Sequence, residues 1–326
     1  MRGTITTFFK FFLIPFYLLQ YWLLWTRIPL DKDEWCFVCD GHLGDDYRLL
    51  VFLGEFSKRM VTKKLSVVIS KQYSSLPKMF PYISKIISLK KIPNAFITGF
   101  VSSYTEALPG RPLLIHLKRP ILYQTIPKDK FIENNALDTY KSTLGLEQSV
   151  KPAKPTTGNE SKKRAYAKFN MLGLKVGKTV VVFPNANTHK IENNIFWKKI
   201  LDTLKTRGFV IVGNSKPKEK IFLDINRVNL EIDELLPFVE LAGYMISVRN
   251  GICDLLSSAN ATKFILYPDI KSYRFDTIVA YNYKNSGKTI ELVLNSHNGN
   301  MISGKIIDEV THQQRLNKNL NDISMS

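Results

Sequence analysis

Short apolar runs alternate with amphipathic segments along most of the 326-residue chain. The run Trp35–Cys39 predicts a buried strand, and the segment after the polar residues 40–46 has the spacing of an amphipathic helix. Strands that alternate with helices predict a mainly parallel sheet. Further strands in this half are predicted over Leu65–Ile69, Ile83–Leu89, Ala95–Phe100 and Pro112–Leu117, with a helix over Asn135–Leu146.

The second half of the chain repeats this alternation. Lys178–Phe183 predicts a buried strand, Pro184–His189 a turn, and Ile195–Arg207 an amphipathic helix that ends at Gly208. We therefore predict a second α/β domain. Its later elements are strands over Phe209–Val212, Tyr244–Ser247 and Lys263–Tyr267, and helices over Asp233–Leu241 (with Asp233 as N-cap) and Ile252–Ser258.

Residues 148–164 have no apolar period and are rich in Lys, Pro, Thr and Ser, which is typical of a linker. The predicted organisation is therefore an anchoring segment over residues 1–30, a first α/β domain over 31–147 and the linker. A second α/β domain follows over 165–326.

Residues 8–28 are almost wholly apolar and aromatic. The part between Lys10 and Arg27 is shorter than the roughly 20 residues of a spanning helix, and Phe, Tyr and Trp suit the headgroup boundary. No small-residue cleavage site follows. We predict an anchor that lies in or dips into the cytoplasmic face of the inner membrane. The alternatives are a short spanning signal-anchor and a helix packed on the protein's own core.

The chain is strongly basic, with 46 Lys and Arg against 28 Asp and Glu and a formal net charge of +18. Such an excess attracts nucleic acid, anionic membranes or phosphate-bearing substrates. The charge is scattered, and no zinc-finger, homeodomain or RNA-recognition signature accompanies it. We expect an anionic membrane surface and a phosphorylated ligand as partners, and no nucleic acid.

The cysteines do not indicate a disulfide framework, because there are only three. Cys36 and Cys39 form a CxxC inside an apolar strand, which argues against a redox or metal role. Asp31 and Asp33 form an Asp-Lys-Asp motif beside the apolar segment and outside any strand end. We therefore predict no metal site.

Asp45 and Asp46 follow the first predicted strand, where ligands bind in parallel α/β sheets. Acidic side chains suit the start of a helix, so either could be an N-cap. A carboxylate cannot bind a phosphate, but it can take a proton from a substrate hydroxyl. We predict that one of the two, Asp45 or Asp46, is a catalytic base.

Two loops of the second domain would meet at one sheet edge if its strands are parallel. In the first, Asn185, Asn187 and Thr188 suit a nucleotide or a sugar, and they are also ordinary turn formers. In the second, Gly251 permits close backbone approach, and the helix after it offers amides to a phosphate. Arg249 adds a forked donor for a pyrophosphate, unless it is a solvated surface residue.

This set of motifs resembles the heptosyltransferase-like glycosyltransferases of family 9, which have the GT-B fold. The family's usual DTG-x-x-H turn is absent. The resemblance is carried by Leu43-Gly44-Asp45-Asp46 after the first strand, Phe183-Pro184-Asn185-Ala186-Asn187 followed by Phe196-Trp197, Arg207-Gly208-Phe209, and Arg249-Asn250-Gly251 with Cys253-Asp254.

The resemblance implies that Asp45 matches the family's catalytic aspartate. It also implies a nucleotide-sugar site that includes Gly44, Asn250, Gly251 and Asp254, with Lys190 as the lysine after the polar loop.

By this resemblance the expected fold is GT-B, with two Rossmann-like domains facing a cleft. The domain over 31–147 would be the N-terminal acceptor domain, and the domain over 165–326 the C-terminal nucleotide-sugar-binding domain. The expected activity is metal-independent transfer of a hexosyl or heptosyl group without a cofactor. The donor would be a nucleotide-diphospho-sugar, and the acceptor a membrane-linked glycan of lipopolysaccharide or surface polysaccharide. The missing DTG-x-x-H turn keeps an alternative open, a non-catalytic membrane-tethered protein that binds glycan or nucleotide with a GT-B body.

Overall fold

The computed structural model describes residues 31, 34–39, 42–61, 64–90, 112–114, 135–186, 194–214, 225–295 and 298–324. The chain divides into two compact units, with the division between Thr156 and Thr157. The predicted anchor over residues 8–28 and the strand candidate Ala95–Phe100 lie outside the described residues. In the described parts of the chain, no helix is long and apolar enough to cross a membrane.

The first unit contains a parallel sheet of strand order β3-β2-β1-β4. The chain adds β2 and β3 on one side of β1 and then places β4 on the other side, so the direction of strand addition reverses at β1. Its elements are β1 (Trp35–Cys39), α1 (Leu43–Arg59), β2 (Leu65–Ser70), β3 (Lys85–Leu89), β4 (Pro112–Leu114) and α2 (Ala136–Thr143), with 3₁₀ turns at Lys71–Tyr73 and Pro77–Met79.

Strand β1 is buried on both faces, as its continuous apolar sequence predicts. Phe56 of α1 packs edge-on against Trp35 and Phe37, at ring-centroid distances of 5.0 and 5.2 Å. Cys36 points to the opposite face, because side chains alternate along a strand. Burial raises the pKa of the Cys36 thiol to about 12. This thiol is therefore protonated at neutral pH and packs as a core residue.

The second unit contains a six-stranded parallel sheet of order β10-β9-β8-β5-β6-β7. This is the doubly wound Rossmann order, with the reversal between β5 and β8. Its elements are α3 (Asn159–Met171), β5 (Thr179–Phe183), α4 (Asn194–Thr206), β6 (Val210–Asn214), β7 (Asn226–Val228), α5 (Ile232–Ala242), β8 (Gly243–Val248), α6 (Gly251–Leu256), β9 (Thr262–Tyr267), α7 (Ile270–Asp276), β10 (Thr289–Val293) and α8 (Gly299–Ser324).

Apolar stripes on the helices cover this sheet. Trp197 and Leu204 of α4 pack with Ile306 of α8 against the central strands. Phe169 of α3 and Phe238 of α5 form a separate edge-to-face pair, with ring centroids 5.3 Å apart. The carboxyl ends of the strands are thereby held in place, and the loops that follow them form one edge of the sheet.

The predicted linker over 148–164 is too long, because α3 begins at Asn159. The helix buries Ser161, Ala165 and Phe169, which are spaced four residues apart and lie among basic residues. Only one of these three is a large apolar residue, so the period is weak in the sequence.

The N-cap of α5 is Glu231 rather than the predicted Asp233. Glu234 accepts a hydrogen bond from the Glu231 amide at 2.9 Å, which satisfies a donor at the helix start. Asp233 lies inside the helix and accepts from Arg164 of α3 at 2.7 Å. The competing acidic residues at 231, 233 and 234 made this boundary ambiguous from sequence.

Candidate functional site

The first candidate site lies where β1 leads into α1. The helix begins at Leu43 and its N-cap is His42, so the predicted polar turn over 40–46 is shorter than expected. Asp45 and Asp46 occupy the first helical turn, and the alternative that either is the N-cap is wrong. The Asp46 amide already makes a helical hydrogen bond of 3.0 Å to the His42 carbonyl, which requires an earlier start.

The two aspartates differ in exposure. The Asp45 side chain is 20% exposed and lies 3.7 Å from the guanidinium of Arg48. Asp46 is only 3% exposed, so its carboxylate faces the protein interior. Gly44, which the resemblance placed in the nucleotide site, is buried in the same helical turn. Of the two predicted catalytic carboxylates, Asp45 is therefore the more exposed to solvent.

Two tyrosines belong to the same region. Burial, followed by the charge of Asp45, raises the pKa of Tyr140 in α2 well above its ordinary value. Burial and then the charge of Asp46 raise the pKa of Tyr73. The phenols are therefore neutral hydrogen-bonding groups at neutral pH. The sequence reasoning did not include either residue, because neither lies in a motif.

The second candidate site lies at the carboxyl ends of β5 and β8, where the sheet order reverses. These strands are parallel neighbours, with Phe183 opposite Ser247. The Asn250 side-chain amide donates to the Asn185 carbonyl at 3.1 Å. The prediction that the two loops meet is therefore confirmed. Asn187, Thr188 and Lys190 lie outside the described residues.

Asn250 also organises the start of α6. Its side-chain oxygen accepts from the Ile252 amide at 2.9 Å, and its carbonyl accepts from the Cys253 amide at 3.0 Å. Helix α6 has only six residues. Because two of its first amides are bonded within the turn, the predicted set of phosphate-binding helix amides is reduced to the turn at Gly251.

Arg249 was predicted to face either a ligand or the solvent, but in the structure its side chain is buried. Its guanidinium forms a two-pronged ion pair with Asp254, at 2.8 and 2.9 Å. Its Nε donates to the Asp276 carbonyl at 2.8 Å. Arg249 and Asp254, both predicted to bind nucleotide directly, form an ion pair with each other in the structure. The sequence contained one signal for this pair, namely two opposite charges that lie five residues apart across a turn and among apolar neighbours.

The remaining polar groups at this edge were not predicted from the sequence. The Tyr281 hydroxyl donates to Asp254 at 3.0 Å. Glu291 of β10 accepts from the Thr277 hydroxyl at 2.5 Å, from the Ile278 amide at 2.7 Å and from the Tyr267 hydroxyl. These contacts depend on strand adjacency, which single-sequence patterns do not reveal. Where the structure describes the chain, no group of three His, Cys, Asp or Glu is arranged to hold a metal ion.

Solved structures with the same fold are glycosyltransferases. A family 9 glycosyltransferase from Veillonella parvula matches with a TM-score of 0.58 and 15% identity over 87% of this chain and 90% of that one. The ADP-heptose lipopolysaccharide heptosyltransferase II of E. coli matches with a TM-score of 0.61 and 11% identity, covering 86% and 99%. The chain has the GT-B fold of these enzymes. E. coli heptosyltransferase WaaC matches with a TM-score of 0.52 and 14% identity, covering 85% and 99%.

No family model and no curated protein sequence matches the chain. At the identities of the solved structures, the likeness is one of fold. The predicted GT-B fold class is therefore confirmed for its two α/β units, while the predicted membrane helix lies outside the described residues.

Proposed function

We propose that the protein is a glycosyltransferase that moves a sugar from a nucleotide-diphospho-sugar to a membrane-linked glycan of lipopolysaccharide or surface polysaccharide. The observation that carries the proposal is the Asn250–Asn185 hydrogen bond between the loops after β5 and β8. It lies at the reversal point of a Rossmann-ordered sheet, which is where this class of sheet binds its ligands.

In the proposed reaction Asp45 acts as the general base. Its partly exposed carboxylate takes the proton of the acceptor hydroxyl, and the hydroxyl oxygen then attacks the anomeric carbon of the donor. The nucleoside diphosphate leaves with the electron pair of the broken bond. The turn at Asn250–Gly251 stabilises the diphosphate electrostatically, and we expect this to proceed without a divalent cation.

We propose further that the protein works at the cytoplasmic face of the inner membrane. The apolar aromatic segment over residues 8–28 would anchor it there, and the net charge of +18 would favour anionic lipid. Anchoring confines the search for a lipid-linked acceptor to the membrane plane.

The test is a thermal-shift panel of ADP, UDP, GDP, TDP and CMP, with magnesium and with EDTA. A ligand that binds only the folded state raises the melting temperature, by an amount that grows with its concentration over Kd. ADP is the first candidate, because the solved structures include WaaC with ADP and TibC with ADP-D-β-D-heptose. We expect one nucleoside diphosphate to raise the melting temperature equally in magnesium and in EDTA.

Three outcomes would count against the proposal. Absence of a shift with every nucleotide would remove the nucleotide site. A shift that EDTA abolishes would refute the metal-independent mechanism; TibC, with the same fold, is described as an iron-containing glycosyltransferase. Binding without any transfer to lipid-linked glycan would instead support the non-catalytic binding protein.

A further inference from the structure

A buried network centred on Arg249 lies beneath the turn at Asn250–Gly251. We propose that Arg249, Asp254 and Tyr281 form a positioning cluster that fixes this turn and thereby sets nucleotide affinity without touching the nucleotide. The proposal rests on the proposed function, because it concerns the same nucleotide site. In this proposal Arg249 and Asp254 support the turn and do not contact the ligand, and Tyr281 supports the turn with them.

The donors of the Arg249 guanidinium are used inside the protein. Nε donates to the Asp276 carbonyl, Nη1 to the Asn250 carbonyl and to Asp254, and Nη2 to the second oxygen of Asp254. Nη2 also lies 3.9 Å from the Asp276 carboxylate. A guanidinium has five N–H groups, so little donor capacity is left for a diphosphate.

The cluster is buried enough to be rigid. The side chains of Arg249 and Asp254 are 5% and 1% exposed, and Tyr281 is 3% exposed. In such surroundings a two-pronged pair has a strong preference for one geometry, and the loss of one partner leaves an uncompensated charge. The hydroxyl of Tyr281 completes the shell of Asp254 at 3.0 Å.

The cluster controls the direction of one peptide group. The Asn250 carbonyl accepts both from Arg249 and from the Cys253 amide, so it points into the protein. In a planar trans peptide the N–H points opposite to the carbonyl, and no cis peptide occurs in the described residues. The Gly251 N–H is therefore directed away from the guanidinium, which orients it as a donor for an anion.

The cluster and the Asn250 side chain together join three loops at the carboxyl ends of the strands. Asn250 holds the loop after β5 through the Asn185 carbonyl, and Arg249 lies in the loop after β8. Asp276 ends α7, which follows β9, and Tyr281 lies in the 3₁₀ turn after it. Loosening the cluster should therefore disturb the site as a unit.

Tyr281→Phe is the sharpest test, because Tyr281 contacts Asp254 and only the positioning role links it to the nucleotide. We expect Kd for the nucleoside diphosphate selected from ADP, UDP, GDP and TDP to rise roughly 2- to 30-fold by calorimetry well below the melting temperature. The matched control is Tyr244→Phe at the other end of β8. Among the described residues its buried hydroxyl has no hydrogen-bond partner, so Kd should not change.

Arg249→Lys provides a second variant, which keeps the charge and loses the fork. If the three residues act as one unit, Arg249→Lys with Tyr281→Phe should weaken binding by much less than the product of the single effects. Tyr281→Phe with unchanged Kd, even at a lower melting temperature, would overturn the proposal and leave the cluster a purely structural role.

Hydrogen exchange tests whether the cluster holds the turn, independently of whether a nucleotide binds. Peptides covering residues 248–256 should exchange faster in Tyr281→Phe than in the wild type or in Tyr244→Phe. If no nucleoside diphosphate binds the wild type, the proposed function fails and the control of affinity fails with it. The exchange rates then show whether the cluster still holds the turn, and unchanged rates would overturn that part as well.

Discussion

At the start of α1, two adjacent aspartates lie in different surroundings. Successive residues of a helix point about 100° apart, so Asp46 faces the core while Asp45 lies near the surface beside Arg48. A general base must be within reach of the substrate hydroxyl. The greater exposure of Asp45 therefore favours it as the base. The apolar pattern alone did not decide between the two aspartates, because both precede the same predicted helical segment.

We predict that Asp45→Asn lowers the turnover of sugar transfer roughly 10²- to 10⁴-fold, as the loss of a general base does. The amide keeps the size of the side chain but cannot accept the proton. Because the proposed nucleotide site is built from loops of the second unit alone, Kd for the nucleoside diphosphate should stay within about twofold of the wild type. Steady-state kinetics and calorimetry check the two expectations.

The matched control for this substitution is Glu55→Gln, farther along the same helix. Glu55 is paired with Lys58 at 2.6 Å on the exposed side, so the same carboxylate-to-amide change should leave turnover unaffected. If Asp45→Asn retained more than about a tenth of wild-type turnover, Asp45 would not be the base.

At the scale of elements, the buried strands were predictable and the boundaries of the helices were less so. β1 and β5 are continuous apolar runs that the core requires on both faces. The first residue of α1 and of α5 depends on which of several nearby polar residues is the N-cap and which acceptors bond the first helix amides. That choice is made by packing and by hydrogen bonds that a linear pattern does not contain. The helix α3 was not predicted, because only one of its three buried residues is a large apolar side chain and its apolar period is weak.

The contact between α3 and α5 has a predictable pH dependence. Burial alone would raise the pKa of Glu234, but hydrogen bonds from Lys168, the Glu231 amide and Arg164 outweigh it, and the pKa falls below 4.5. A group with a depressed folded-state pKa stabilises the protein above its unfolded pKa. This stabilisation is lost as the pH falls from about 4.5 through the lower folded-state pKa.

We predict that Glu234→Gln lowers the free energy of unfolding by about 1–3 kcal/mol at pH 7, because it removes charged hydrogen bonds at a side chain that is 1% exposed. The difference from the wild type should shrink as the pH falls below the folded-state pKa. Urea denaturation at pH 7 and at acidic pH measures both effects.

Glu160→Gln is the control within the same contact region. Its ion pair with Lys163 is 3.0 Å long, but both side chains are about three-quarters exposed. Exposed pairs contribute only about 0–1 kcal/mol, so the substitution should be nearly neutral at either pH. Equal losses in Glu160→Gln and Glu234→Gln would contradict the assignment of this stability to the buried carboxylate.

At the scale of the whole molecule, strand order is what the sequence could not supply. Both sheets begin with a central strand and reverse the direction of strand addition beside it, at β1 with β4 and at β5 with β8. Which strands become neighbours depends on contacts between residues far apart in the chain. The residues of both candidate sites were predicted from the sequence, but their position beside these reversal points follows only from the strand order.

The proposed membrane attachment also belongs to this scale, because it would combine a local apolar segment with the charge of the whole chain. We predict that the full-length protein sediments with vesicles containing anionic lipid, and that deletion of residues 1–30 abolishes sedimentation at high salt. The apolar contact is insensitive to salt, whereas attraction of the remaining basic surface is screened, with a Debye length of about 3 Å at 1 M salt.

The salt dependence of vesicle binding distinguishes the contribution of the apolar segment from that of the basic surface. At low salt the truncated protein should retain some binding to anionic vesicles and none to neutral ones, because only charge attraction remains. The full-length protein should bind both kinds, since aromatic and apolar side chains enter the interface irrespective of lipid charge. If the truncated protein stayed bound to vesicles at high salt, residues 8–28 would not be the anchor. Attachment would then have to come from residues 31–326.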